Sequence, residues 1–147
     1  MANRITAIEA EKLTRMHPDA QAVGLGAKMK DLQDYAPVAI NYAVTADAKT
    51  GALTAFVAPF AMDIVDIIVQ ARAAAENETL TPINAGQAGS AADAMCTAIA
   101  CAAAGTVTHM SAGADATKLR LAAGDIVKVG ASKDTVRGLV TFIGVRV

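Results

Sequence analysis

Tryptophan is absent from the 147 residues, and only two tyrosines and three phenylalanines are present. Sugar-binding platforms stack the ring on Trp or Tyr. Both tyrosines, Tyr35 and Tyr42, fall in the first 42 residues, which weakens a carbohydrate-binding reading. Charge is scarce as well, at 18% of residues against the usual quarter or so. Thirteen basic and 14 acidic side chains leave a net charge of −1, with no basic stripe of the kind nucleic acid requires. Long apolar runs are missing too. The longest low-charge stretch, Ser90 to Thr108, is mostly alanine and drives membrane insertion poorly. Met1–Thr6 shows no basic segment leading into an apolar one, which points away from secretion. Cysteine is limited to Cys96 and Cys101, compatible with free thiols in a reducing compartment.

What the chain has in abundance is small apolar residues. Hydrophobic residues make up 54%, and alanine alone fills about a quarter of the sequence. The length suits one domain with a real core. A monomer of this size needs polar residues to cover its surface and bulky ones to fill its core, and here both are scarce. Much small-residue surface is therefore expected to face other protein.

Texture divides the chain at Ala36. Thr6-Ala-Ile-Glu9 forms a capping box, Ile5, Ile8, Leu13 and Met16 share roughly one helical face, and His17-Pro18 ends the helix. Gly24-Leu-Gly26 and the charged stretch Lys28–Asp34 follow. Residues 1–36 thus read as a partly helical arm, with those four apolar residues as candidate contacts to a partner or neighbouring subunit. Residues 37–147 read as β. Val38, Ile40, Tyr42 and Val44 alternate with smaller residues, which predicts a half-buried strand. Asp47–Gly51 reads as a turn, Leu53–Val57 as a second strand, and Ala58-Pro59 as an edge or corner. Met62–Ala71 is the richest β-branched run, and Leu80–Ile83 is a short strand interrupted by Pro82. Asp125–Val129 and a long strand from Leu139 to Val147 are separated by a turn at Gly130–Asp134. The last strand is apolar on both faces at its start, which predicts a central position. Ser90–Ala104 favours a short helix by alanine propensity and a Ser90–Asp93 cap, although Thr97, Ile99 and Cys101 also alternate. Short strands with Gly/Asp turns indicate an antiparallel sandwich or barrel.

Catalytic and metal-binding sets are missing from the pattern. The three serines stand in no nucleophile elbow, and neither His17 nor His109 belongs to a visible base–nucleophile–orienter set. Cys96 and Cys101 match no zinc spacing and read as buried thiols. Gly24-Leu-Gly26-Ala-Lys28 lacks the spacing of a phosphate loop, and Asn77-Glu-Thr79 reads as a turn rather than a glycosylation site. Asp63 and Asp66 are expected on opposite faces of their strand and so unable to act as an acid–base pair. No catalytic residue, cofactor, metal or small-molecule substrate is expected.

Four segments, Val57–Val65, Asp93–Ala102, Leu121–Val127 and Asp134–Thr141, resemble in the same order small proteins encoded among tailed-phage head genes, the capsid decoration or cement proteins. The resemblance spans about two thirds of the chain and leaves the arm outside it. It implies an antiparallel β-sandwich or jelly-roll-like body, made in the host cytoplasm and often trimeric. It also implies a seat on the outer surface of the virion at threefold or quasi-threefold positions, with the major capsid protein and its own copies as partners. The alternatives are a head-fibre or tail-associated trimeric module, or a carbohydrate- or host-binding sandwich.

Overall fold

Alternation of large and small side chains sets the strands of the body. The computed structural model describes residues 36–45, 52–72, 78–101, 103–111 and 115–147. All of these but Ala36 belong to the compact unit Pro37–Val147. The arm expected over residues 1–36 therefore lies outside the described residues, apart from Ala36. With it go Ile5, Ile8, Leu13, Met16 and His17, and also the expected turn at 47–51 and Asn77.

Ten strands form among the described residues, every pair antiparallel. They are β1 (Val38–Val44), β2 (Leu53–Val57), β3 (Met62–Ala71), β4 (Thr79–Asn84), β5 (Asp93–Ala94), β6 (Ile99–Ala100), β7 (Val107–His109), β8 (Arg120–Leu121), β9 (Ile126–Ala131) and β10 (Gly138–Arg146). One helical turn, α1 (Ala116–Leu119), precedes β8. The first sheet runs β1-β10-β3-β7, with β8 on the far end of β3. The second runs β2-β9-β4-β5, with β6 also on β4. The expected β-sandwich body is therefore present. Ala58–Ala61, with Pro59, is the corner that carries the chain from one sheet to the other.

Inward positions follow the period of two. Ile40, Phe142 and Ile67 form one row across the first sheet, and Tyr42, Val140 and Val69 the next. Against them the second sheet sets Leu80, Val127 and Val129, all fully buried. Phe142 and Phe56 join the two sheets edge-to-face, with ring centroids 5.1 Å apart. Glu78 is the one buried acid of the described residues; Thr135 Oγ1 donates to its Oε1 at 2.5 Å. Cys96 and Cys101 are free and buried. Burial pushes both thiols up from their ordinary range, and the Glu78 charge adds to the shift at Cys101, so both stay protonated and unreactive at neutral pH.

Pro82 sits inside β4 without breaking it. Its carbonyl accepts from Met95 N at 2.9 Å, on the side away from β9. On that side β5 pairs with Ile83–Asn84 and β6 with Thr79–Leu80, so the missing amide proton faces the gap between two short strands.

Two local expectations are corrected. Ser90–Ala104 forms no helix: β5 and β6 occupy it, tied to β4, with Met95, Cys96, Ile99 and Cys101 buried between the sheets. Burial of those four residues outweighs alanine's helix propensity, which amounts to tenths of a kcal/mol per residue. The turn expected at Gly130 starts later, because Gly130 and Ala131 continue β9 opposite Thr81 and Leu80. Gly130 has no positive φ and packs among Ile83, Ala52 and Thr81 at ordinary contact distances, so it continues the strand.

Candidate interaction surface

A bulge in β3 decides what the outer face of the first sheet presents. Ile143 pairs with Asp66, but the next residue, Gly144, pairs with Ile64, so Val65 is an extra residue with no partner on β10. An inserted residue reverses the side-chain parity on either side of it. Met62 and Ile64 point inward before the bulge, and Ile67, Val69 and Ala71 point inward after it. Asp63 and Asp66 consequently share the outer face, which corrects the expectation of opposite faces.

The two carboxylates are nevertheless not free to act as an acid–base pair, because each is engaged by a partner side chain of its own. Arg120, directly opposite on β8, clasps Asp63 in a two-pronged contact, Nε to Oδ1 and Nη2 to Oδ2, both at 2.8 Å. Asp66 Oδ2 lies 2.7 Å from His109 Nδ1 on β7, a diagonal cross-strand contact, and its Oδ1 accepts from Ile67 N at 2.8 Å. The hydrogen bonds from Arg120, with its positive charge, hold the Asp63 carboxyl below the usual carboxylate range. A carboxylate depressed in the folded state stabilises the fold above the unfolded pKa, and that contribution disappears as pH falls through the lower folded value. Asp63→Asn is therefore expected to lose stability less steeply than the parent as pH drops below about 4. Unfolding curves of both proteins across that range check it, and parallel acid limbs would contradict it.

Between these rim pairs the outer face is mainly aliphatic, with Gln70 exposed between Leu139 and Val107. Leu139, Ile143 and Val145 of β10 and Ile68 of β3 point outward and are half-buried by one another. Val65 and Val107 are 50% and 55% exposed. One polar rung crosses the face, where Thr141 Oγ1 donates to Asn41 Oδ1 at 2.7 Å. Ala39 and Ala43 flank that rung on β1, exposed and small. None of the described strands packs against this side of the sheet. The outer face of the second sheet is different. There the turn at 86–89 folds over it, and Lys128 Nζ donates to Gly89 O at 2.6 Å. One face is thus partly closed by the body's own loop, while the other presents aliphatic side chains with its two carboxylates already engaged. Such a face suits burial against protein.

A shallow depression beside the face is lined by Asp63, Ile64, Ala116, Thr117, Leu119 and Arg120. Its polar groups are occupied: Asp63 by Arg120, and the Thr117 hydroxyl by Asp115, which caps α1. Among the described residues no cluster of three His, Cys, Asp or Glu side chains could hold a metal ion. No helix among them is long and apolar enough to cross a membrane.

In fold the chain is similar to a chain of the capsid of Ralstonia phage GP4. The TM-score is 0.56 at 16% identity, over 76% of this chain and 85% of that one. A chain of the cyanophage Pam1 capsid asymmetric unit aligns over 76% of this chain and 83% of its own, at 13% identity and a TM-score of 0.41, too low to argue from. No protein-family model and no curated protein matches the chain. The GP4 likeness is one of fold.

The candidate contacts read from sequence, Ile5, Ile8, Leu13 and Met16, fall outside the described residues. The surface residues missed were those of the outer face. Leu139–Val145 carried the signal, since apolar residues on both sides of a strand mean either a covered sheet or one awaiting a partner. The Asp66–His109 contact joins residues 43 apart and left no local mark.

Proposed function

We propose that the chain is a structural component of a phage head: a decoration protein that attaches to the outside of the assembled shell and stabilises it. The observation that carries the reading is the aliphatic outer face of the β1-β10-β3-β7 sheet, which none of the described strands covers and whose two carboxylates are engaged at its rim. The fold it shares with a chain of a phage capsid and the four sequence segments that resemble cement proteins support the same reading. The attachment works by mass action. A protein that binds the assembled shell and not the free coat subunit lowers the free energy of the shell alone. Three copies around a threefold position would each make modest contacts and hold by avidity. In this reading the outer face is buried against the major capsid protein or a neighbouring copy. The segment 1–36, through Ile5, Ile8, Leu13 and Met16, reaches the adjoining subunit. Carbohydrate binding has less support, since Tyr42 faces the sandwich interior.

Heat is the direct probe. Heads lacking the chain, mixed with purified full-length protein, should rupture at a higher temperature than bare heads. The gain should shrink when residues 1–36 are deleted. Unchanged rupture temperature with the full chain contradicts the proposal.

A further inference from the structure

We propose that β1 is a self-pairing edge through which two copies of this chain join their sheets about a two-fold axis at Asn41. Three observations carry it. First, β1 pairs with β10 along its whole length, from Val38↔Gly144 to Val44↔Gly138, and among the described residues no strand lies on its other side. Seven residues of main chain that no described strand pairs on that side are a template for another strand. Second, the edge has none of the features that block such pairing: no charge, no proline, no glycine and no bulge in Val38-Ala-Ile-Asn-Tyr-Ala-Val44. The bulges among the described strands lie elsewhere, in β3 and β2. Third, the strand is close to a palindrome about Asn41. An antiparallel partner centred there sets Val38 opposite Val44, Ala39 opposite Ala43 and Ile40 opposite Tyr42, each pair occurring twice, with Asn41 opposite itself.

That symmetry is what an isologous contact requires, since every group must meet its complement on an identical chain. On the inner side, Ile40 and Tyr42 are only partly covered within one copy, and each would gain the other's partner side chain as cover. On the outer side, Ala39 and Ala43 are small enough to bring no clash. Each Asn41 amide can donate to the opposing Oδ1, which holds a second lone pair beside the bond from Thr141. The product is one continuous sheet, β3-β10-β1 of one copy joined to β1-β10-β3 of the next. The inference does not rest on the decoration reading, because two copies can pair in this way with or without a shell.

Register-specific crosslinking of the full-length chain tests it. Cys96 and Cys101 are buried, so an added surface cysteine reports its own neighbours. Under mild oxidation N41C should convert largely to a covalent dimer on a non-reducing gel. A39C alone and A43C alone should remain mostly monomeric, while a mixture of the two should crosslink. A second pair of variants checks the axis by charge: N41D and N41K should each shift the parent's self-association at least tenfold toward dissociation, and mixing them should restore it. The inference is overturned if N41C stays monomeric while its thermal melting matches the parent. It is also overturned if A39C crosslinks to itself as well as N41C does, or if the charge variants associate like the parent. Failure of heads to bind the chain would overturn the decoration reading and leave these outcomes unaffected.

Discussion

Truncating Phe142 to alanine is expected to remove about 3–5 kcal/mol of stability, a large share of the 5–15 kcal/mol typical of a domain. Phe142 is fully buried in the centre of the first sheet, between Ile40 and Ile67, and meets Phe56 of the second sheet edge-on. The chain has three phenylalanines and no tryptophan, so two of its few large anchors are spent on this single contact. The rows on either side, Tyr42–Val140–Val69 and Val38–Gly144–Ile64, are held in their strands and cannot move in to fill the space, so the vacated volume stays largely open. Urea unfolding of parent and variant measures the loss. A difference below about 1 kcal/mol would mean that the sandwich is held elsewhere.

The second large effect concerns assembly rather than folding. Leu139→Lys combined with Ile143→Lys puts two charges on the outer face of the first sheet, at positions only half-buried in the body. Leu139 lies between Ala43 and Gln70, and Ile143 between Ala39 and Asp66, so neither lysine meets a like charge across the strands. The folded body should therefore lose no more than about 1 kcal/mol. Burying two unpaired ammonium groups in a protein–protein contact is far more unfavourable, and attachment to heads should fall by ~100-fold or more. Equal binding by parent and double variant would show that this face stays exposed in the assembled particle.

Much of the body was legible because its strands carry their pattern locally. β1, β2 and β3 begin and end where alternation and β-branched runs begin and end, from Val38 to Val44, Leu53 to Val57 and Met62 to Ala71. The central place of β10 could be read from Leu139, Val140, Phe142 and Ile143. What could not be read depends on pairing across the sheets. The bulge at Val65 is defined only by the pairing of β3 with β10, and nothing in Asp63-Ile-Val-Asp66 marks it. That one extra residue moved Asp66 to the side of Asp63 and set it within reach of His109. Ser90–Ala104 misled for a related reason. Alanine's intrinsic preference is weak, and four buried residues tied to β4 overrule it.

The early shortage of charge and of large side chains now has a location. The large residues are concentrated in the joint between the sheets. Among the described residues, small side chains are exposed at Ala39 and Ala43 on the β1 edge, beside the aliphatic residues Leu139, Ile143 and Ile68 of the outer face. In the proposed reading, both are surfaces that other protein covers.

Co-sedimentation of the purified full-length chain with assembled heads, set beside the same measurement on free coat subunits, tests the central claim most directly. Saturable binding to the heads, with none to the unassembled subunits, is the result expected of a decoration protein. A chain that stays in the supernatant with heads, or that binds free subunits equally well, would contradict it.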